Sequence, residues 1–178
     1  VRAWTRQRAV LRALPGASPA PNDAFGRAAL ASGIDPRRLV VVDGLPTPAL
    51  TVGLLAPRIL VARAVAHQLT APELVAVLAH EAAHLRRRDP LRVFLLRFLA
   101  RTLFWLPVLE RLSDAFLMET EILADDHAAG AARPSDRGPD GSLVLASALV
   151  SLAAAYRPHP VAEPGIGIHP AGAPDLLA

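Results

Sequence analysis

No cysteine occurs anywhere in the chain, which excludes disulfides, thiolate metal ligands and a cysteine nucleophile. Any metal site must therefore draw on histidine, aspartate and glutamate. Lysine is missing too, so all 19 basic residues are arginine. Aromatic residues are only 4% of the chain whereas hydrophobic residues are 52%, so the core must be built mainly of Leu, Val and Ala, a composition that favours helices. Basic side chains are not interleaved with aromatics as on single-strand binding surfaces, and the net charge of +3 is modest, so no nucleic-acid partner is expected. Uncharged apolar runs long enough to cross a bilayer are also lacking. Leu143 to Tyr156 falls short of the roughly 20 residues needed, and Phe94 to Leu109 is interrupted by Arg97, Arg101 and Pro107. There is no G-x-S-x-G and no P-loop, and Gly165-Ile166-Gly167 lacks the rest of a dinucleotide fingerprint.

What is present is His80-Glu81-Ala82-Ala83-His84. Two imidazoles four residues apart on a helix project from one face, about one turn apart, and reach a single metal ion. In H-E-x-x-H the histidines hold zinc, and the glutamate takes a proton from the zinc-bound water that attacks a carbonyl carbon. Such a string arises by chance in roughly 0.5% of chains this long, so its surroundings decide. Upstream, Thr70-Ala71-Pro72-Glu73 reads as a capping box that starts a helix about ten residues before His80. Downstream, Arg86, Arg87 and Arg88 suit the negative end of the helix dipole, and Asp89-Pro90 is a stop and restart. The motif thus lies inside a buried helix, where unpaired imidazoles and a carboxylate would be costly without a shared partner.

With 178 residues there is room for one domain with extensions. Residues 1–21 read as a basic segment and linker: Arg2, Trp4, Arg6, Arg8 and Arg12 suit the cytoplasmic flank of a membrane span or an ordinary exposed helix, and Pro15, Gly16, Pro19 and Pro21 follow. The domain proper spans 22–156, and the proline-rich stretch 157–178 is expected to be a poorly ordered tail. Within the domain, Asn22 or Asp23 caps a helix that ends at Gly33. Leu39-Val40-Val41-Val42 signals a buried strand, and two more strands, Ala49 to Leu55 and Arg58 to Ala62, suggest a hairpin with an edge strand. An edge strand near the metal helix could pair with an extended peptide and present its scissile amide. Further helices are expected from Pro90 to about Phe104, from Pro107 to Ala129 with Gly130 as the stop, and from Leu143 to Tyr156. The Pro90 to Phe104 helix, with arginines along a Leu- and Phe-rich stretch, either snorkels in a core or lies against lipid headgroups.

A catalytic zinc normally has three protein ligands and an open position. Glu119, Glu121, Asp125, Asp126 and His127 form a polar cluster in an otherwise apolar helix. Glu121 and Asp125 share a face, so one can bind the metal while the other accepts a hydrogen bond from a ligand imidazole. His80-Glu81-x-x-His84, Arg86-Arg87-Arg88-Asp89-Pro90 and Glu121-Ile122-Leu123-Ala124-Asp125 together resemble the gluzincin metallopeptidases with a Glu-x-x-x-Asp motif. Among these, the chain looks most like membrane-embedded sensor peptidases of the BlaR/MecR type, and next most like the HtpX and CAAX prenyl protease group. The likeness runs from about Val40 to Ala129.

The resemblance implies His80, His84 and Glu121 as Zn2+ ligands, Glu81 as general base and Asp125 as the acid that orients a ligand. It implies an α+β, mostly helical, zincin-like metallopeptidase domain with a small sheet or hairpin packed on the H-E-x-x-H helix. It further implies a cell-membrane protein anchored through segments outside this chain, with this domain on the cytoplasmic side, and a protein or peptide substrate such as a repressor or a membrane protein. The expected activity is zinc-dependent endopeptidase chemistry in signalling or membrane-protein proteolysis, the alternative being a non-catalytic zinc-binding or membrane-associated helical module. No oxyanion-stabilising residue is identified. His127, Tyr156, His159 and His169 are candidates by type, His127 the best placed, and His67 reads as a surface residue.

Overall fold

The computed structural model describes residues 16–132 and 140–156. The basic start and the proline-rich tail, including His159 and His169, lie outside the described residues.

Four short strands form one sheet in the order β1 (Gly16–Ala17), β2 (Leu39–Val42), β4 (Arg58–Ala62), β3 (Ala49–Val52). β2 and β4 run parallel, with Leu39 beside Ile59 and Val42 beside Ala62. Both are largely buried, which suits their Val, Ile and Leu content. β1 and β3 are antiparallel to their neighbours, and β3 pairs with β4 as the expected hairpin, leaving β3 at an edge. β3 ends at Val52, short of the expected Leu55. Gly53 takes a φ of 99°, and a Cβ there would lie 2.9 Å from the carbonyl oxygen of Ala56, so the turn needs glycine. β1 falls within the stretch whose prolines suggest a linker.

Asp23 caps α1 (Ala24–Ala31), accepting from the Gly26 N–H at 2.6 Å, and a 3-10 turn over Pro36–Arg38 leads into β2. A one-turn helix, α2 (Val65–Gln68), precedes the long helix α3 (Ala71–Arg87). α3 begins at the foreseen capping box: the Glu73 carboxylate accepts from the Thr70 N–H at 2.8 Å and the Thr70 hydroxyl at 2.7 Å. Arg88 then adopts left-handed backbone (φ 56°, ψ 40°), which breaks the helix, so that Asp89 opens α4 (Asp89–Thr102). α5 (Val108–Ala131) runs straight through Gly130, contrary to the expected stop there. Gly130 keeps helical backbone, and the last turn closes with the Ala132 N–H on the Ala128 carbonyl at 3.0 Å. Asp140 caps α6 (Gly141–Ala155), and the missing side chain of Gly141 lets this helix start against the backbone of Ala129.

α3 sits at the centre, packed against α1 and β3 on one flank and against α5 and α6 on the other. Ala76 and Ala79 of α3, Ala124 and Ala128 of α5 and Ala148 of α6 are fully buried. Such small side chains let helix backbones approach closely, which brings polar groups of α3 and α5 within reach of one another. A second body of core, with Leu39, Ile59, Val61 and Leu78, joins α3 to the sheet. α4 differs: apart from Asp89, only Ala100 is buried along its length. The chain is thus mostly helical α+β with a small four-stranded sheet.

Candidate metal centre

His80 and His84 lie on the face of α3 that meets α5. Their Nε2 atoms are 3.1 Å apart. Glu121, on α5, completes the group: Oε2 is 3.5 Å from His80 Nε2 and Oε1 is 3.7 Å from His84 Nε2. These ligand atoms lie within 4.8 Å of one another. Three donors around a tetrahedral zinc at ~2.0–2.1 Å are themselves about 3.3 Å apart, so the spacing suits a metal of that size.

The far sides of both rings are fixed. His80 Nδ1 is 2.9 Å from Asp125 Oδ1, and His84 Nδ1 is 2.9 Å from Asp89 Oδ2. A carboxylate accepts, so each Nδ1 carries the proton and each Nε2 is left with a lone pair. Two imidazole nitrogens and a carboxylate facing one another offer a cation three donors at once. That donor chemistry, closed off by carboxylates behind and open in front, fits a divalent ion held by imidazole and carboxylate. Glu121 is 60% exposed on its side chain, so the centre opens to solvent on the α5 side.

Glu81 reaches towards the sheet while staying close enough to His80, His84 and Glu121 to feel their charges. Thr51 Oγ1 on β3 lies 2.7 Å from Glu81 Oε2 and 3.1 Å from the Glu81 carbonyl oxygen. Burial is the largest influence on this carboxyl and raises its pKa, and the charge of Glu121 adds to the rise; the Thr51 hydrogen bond and the imidazoles of His80 and His84 oppose it. A carboxyl so placed is a ready proton acceptor.

The structure brings His80, Glu81, His84, Glu121 and Asp125 to one place. Glu119 and Asp126 are exposed on α5 outside the ligand group. His127 instead meets Arg86, whose Nη1 lies 2.7 Å from its Nε2, and burial together with that cation lowers its pKa. Tyr156 and His67 line a separate cavity at the other end of the domain. Two participants were not foreseen. Asp89 was read only as the start of a helix, although an acid soon after the second histidine of such a motif could have raised the question. Thr51 gave no local signal, since it lies 30 positions from Glu81.

A small sheet on a helix that carries His-x-x-x-His, with a glutamate supplied by a second helix, defines a metallopeptidase. The particular family follows from comparison: a family model described as BlaR1 peptidase M56 matches residues 2–163, and the chain belongs to that family. No curated protein and no solved structure matches the chain.

Proposed function

We propose that the chain is a zinc-dependent endopeptidase, the cytoplasmic catalytic domain of a membrane-anchored protein that cleaves a protein substrate, such as a repressor or a membrane protein, in signalling or membrane-protein turnover. The observation that carries the peptidase reading is the convergence of His80 Nε2, His84 Nε2 and Glu121, with both Nδ1 atoms tied to carboxylates. Zinc bound there supplies a Lewis acid for the scissile carbonyl and acidifies a water. Glu81 takes the proton of the attacking water and hands it to the leaving amine nitrogen. Thr51 holds the Glu81 carboxylate in place, while Asp125 and Asp89 fix the tautomers of His80 and His84. β3 supports a peptide substrate in particular: it lies beside Glu81 and, among the described residues, no further strand pairs with its outer edge, to which an extended chain could add.

Glu81→Gln should retain zinc and lose hydrolysis, whereas Glu121→Ala should weaken zinc binding itself. Metal content and cleavage of a peptide library, measured together, separate the two effects. Undiminished cleavage by Glu81→Gln would remove the assignment of the base.

The membrane part of the reading rests on the corner between α4 and α5. Phe94, Phe98, Phe104 and Trp105 are exposed there, Phe104 at 80%. No acidic residue stands between Asp89 and Glu110, while Arg92, Arg97 and Arg101 do. No helix among the described residues is long and apolar enough to cross a membrane. Exposed aromatics among arginines suit a bilayer surface with anionic headgroups. The protein should float with vesicles containing anionic lipid, and Phe104→Asp with Trp105→Asp should abolish flotation; equal flotation of the double variant would sink this assignment.

A further inference from the structure

Away from the metal centre, a cleft of roughly 420 Å3 opens where the starts of β2 and β4 meet the end of α3. Arg37, Arg38, Arg58, Arg86 and Arg88 line it, and no carboxylate does. Arg86 is anchored, with Nη2 2.6 Å from the Ser32 carbonyl oxygen and Nη1 on His127. The other four have no carboxylate within ion-pair distance among the described residues, in contrast to Arg63 on Asp43.

The placement carries a cost. Arg38 and Arg58 each stand one residue before Leu39 and Ile59, which are neighbours across the parallel pair β2 and β4. Arg38 closes the 3-10 turn and Arg58 opens β4, so two like charges stand side by side at the mouth of the parallel pair and repel. Arg88 adds a third unpaired guanidinium on left-handed backbone, which a side chain rarely adopts. An anion in the cleft would relieve the repulsion at once.

We propose that this cleft binds a diphosphate group. Guanidinium forks match phosphoryl oxygens two by two, and four free forks suit two linked phosphoryl groups better than one carboxylate. The volume lies in the range of small-ligand sites, about 300–1,000 Å3. The remaining walls are Leu55, Ala56, Pro57 and Leu85, with no aromatic ring to stack on a base, so the diphosphate itself is what is recognised. Free pyrophosphate and the headgroup of a lipid diphosphate both offer two linked phosphoryl groups. The site is separate from the peptidase reading, and its test requires no turnover.

Isothermal titration of the zinc-loaded protein with pyrophosphate, in about 0.15 M chloride, should show saturable binding at one site. Arg38→Gln with Arg58→Gln should weaken binding at least about tenfold, as should Arg37→Gln with Arg88→Gln, while Arg63→Gln should leave it unchanged. Without the anion, the Arg38/Arg58 double variant should melt no lower than the parent, because it removes a repulsion. Heat from metal sequestration survives in every variant and is thereby recognised. Sedimentation of the Phe104→Asp, Trp105→Asp variant, which lacks the exposed α4–α5 aromatics, with phosphatidylcholine vesicles, with and without a lipid diphosphate, distinguishes the two sources. Lipid-dependent sedimentation that pyrophosphate displaces assigns the headgroup; saturable pyrophosphate binding without sedimentation assigns the soluble anion. Binding of neither, or full pyrophosphate affinity in both double variants, would overturn the proposal.

Discussion

Five positions beyond His84, across a helix break, the carboxyl of Asp89 is 4% exposed and accepts from His84 Nδ1. Its second oxygen has only distant cations, Arg87 at 3.8 Å and Arg92 at 3.9 Å. A carboxylate buried at this position fixes the orientation of the ring it holds. Asp89→Asn offers a neutral amide oxygen in its place, and zinc affinity should fall about 10- to 100-fold. Competition with a chelator of known affinity measures this, and an unchanged affinity would reduce Asp89 to a packing role. The pairing of the two histidines was legible because four-residue spacing is all a helix needs to put imidazoles together. Asp89 and Thr51 were not, because their approach depends on the left-handed turn at Arg88 and on how the sheet docks on α3.

Helix α3 owes its start to Glu73, whose carboxylate is held by Thr70 and, from α6, by the Ser147 hydroxyl at 2.6 Å. The Ser147 hydrogen bond is the largest cause of a pKa below the ordinary glutamate value of 4.5, with the two Thr70 bonds adding to it. A depressed folded-state pKa means that the ionised group stabilises the fold above the unfolded value and that this contribution disappears as pH falls through the lower folded value. Glu73→Gln should therefore cost about 1–2 kcal/mol near neutral pH, and the difference from the parent should shrink in acid. Urea unfolding at several pH values would show it; a pH-independent difference would contradict the assignment. The Thr70–Glu73 half of this arrangement was readable as a capping box, whereas Ser147 lies 74 positions away. Strand pairing was similarly half legible. The β3–β4 hairpin is local, but the parallel match of β2 with β4 reaches over β3, and nothing in the sequence specifies that reach. The one-turn helix α2 is too short for any periodicity to announce it.

Across the whole molecule, the three candidate ligands tie α3 to α5, so metal binding and folding are linked. Zinc at about 100 times its dissociation constant should add roughly 2.7 kcal/mol of stability. The thermal midpoint should rise with zinc, fall back with a chelator, and respond weakly in Glu121→Ala. A midpoint indifferent to zinc in the parent would argue against the site. At this scale the sequence revealed a helical domain of Leu, Val and Ala with a small sheet, and the family resemblance supplied Glu121 as the spatial partner of His80 and His84. The exposed α4–α5 corner was only half apparent, since a Leu- and Phe-rich helix reads equally as core until its burial is known. The Thr51 hydrogen bond places the edge of the sheet and the proton acceptor in one mechanical unit. If the proposed substrate adds to β3, the Thr51 hydroxyl is the link through which a shift of that strand would reach the Glu81 carboxylate.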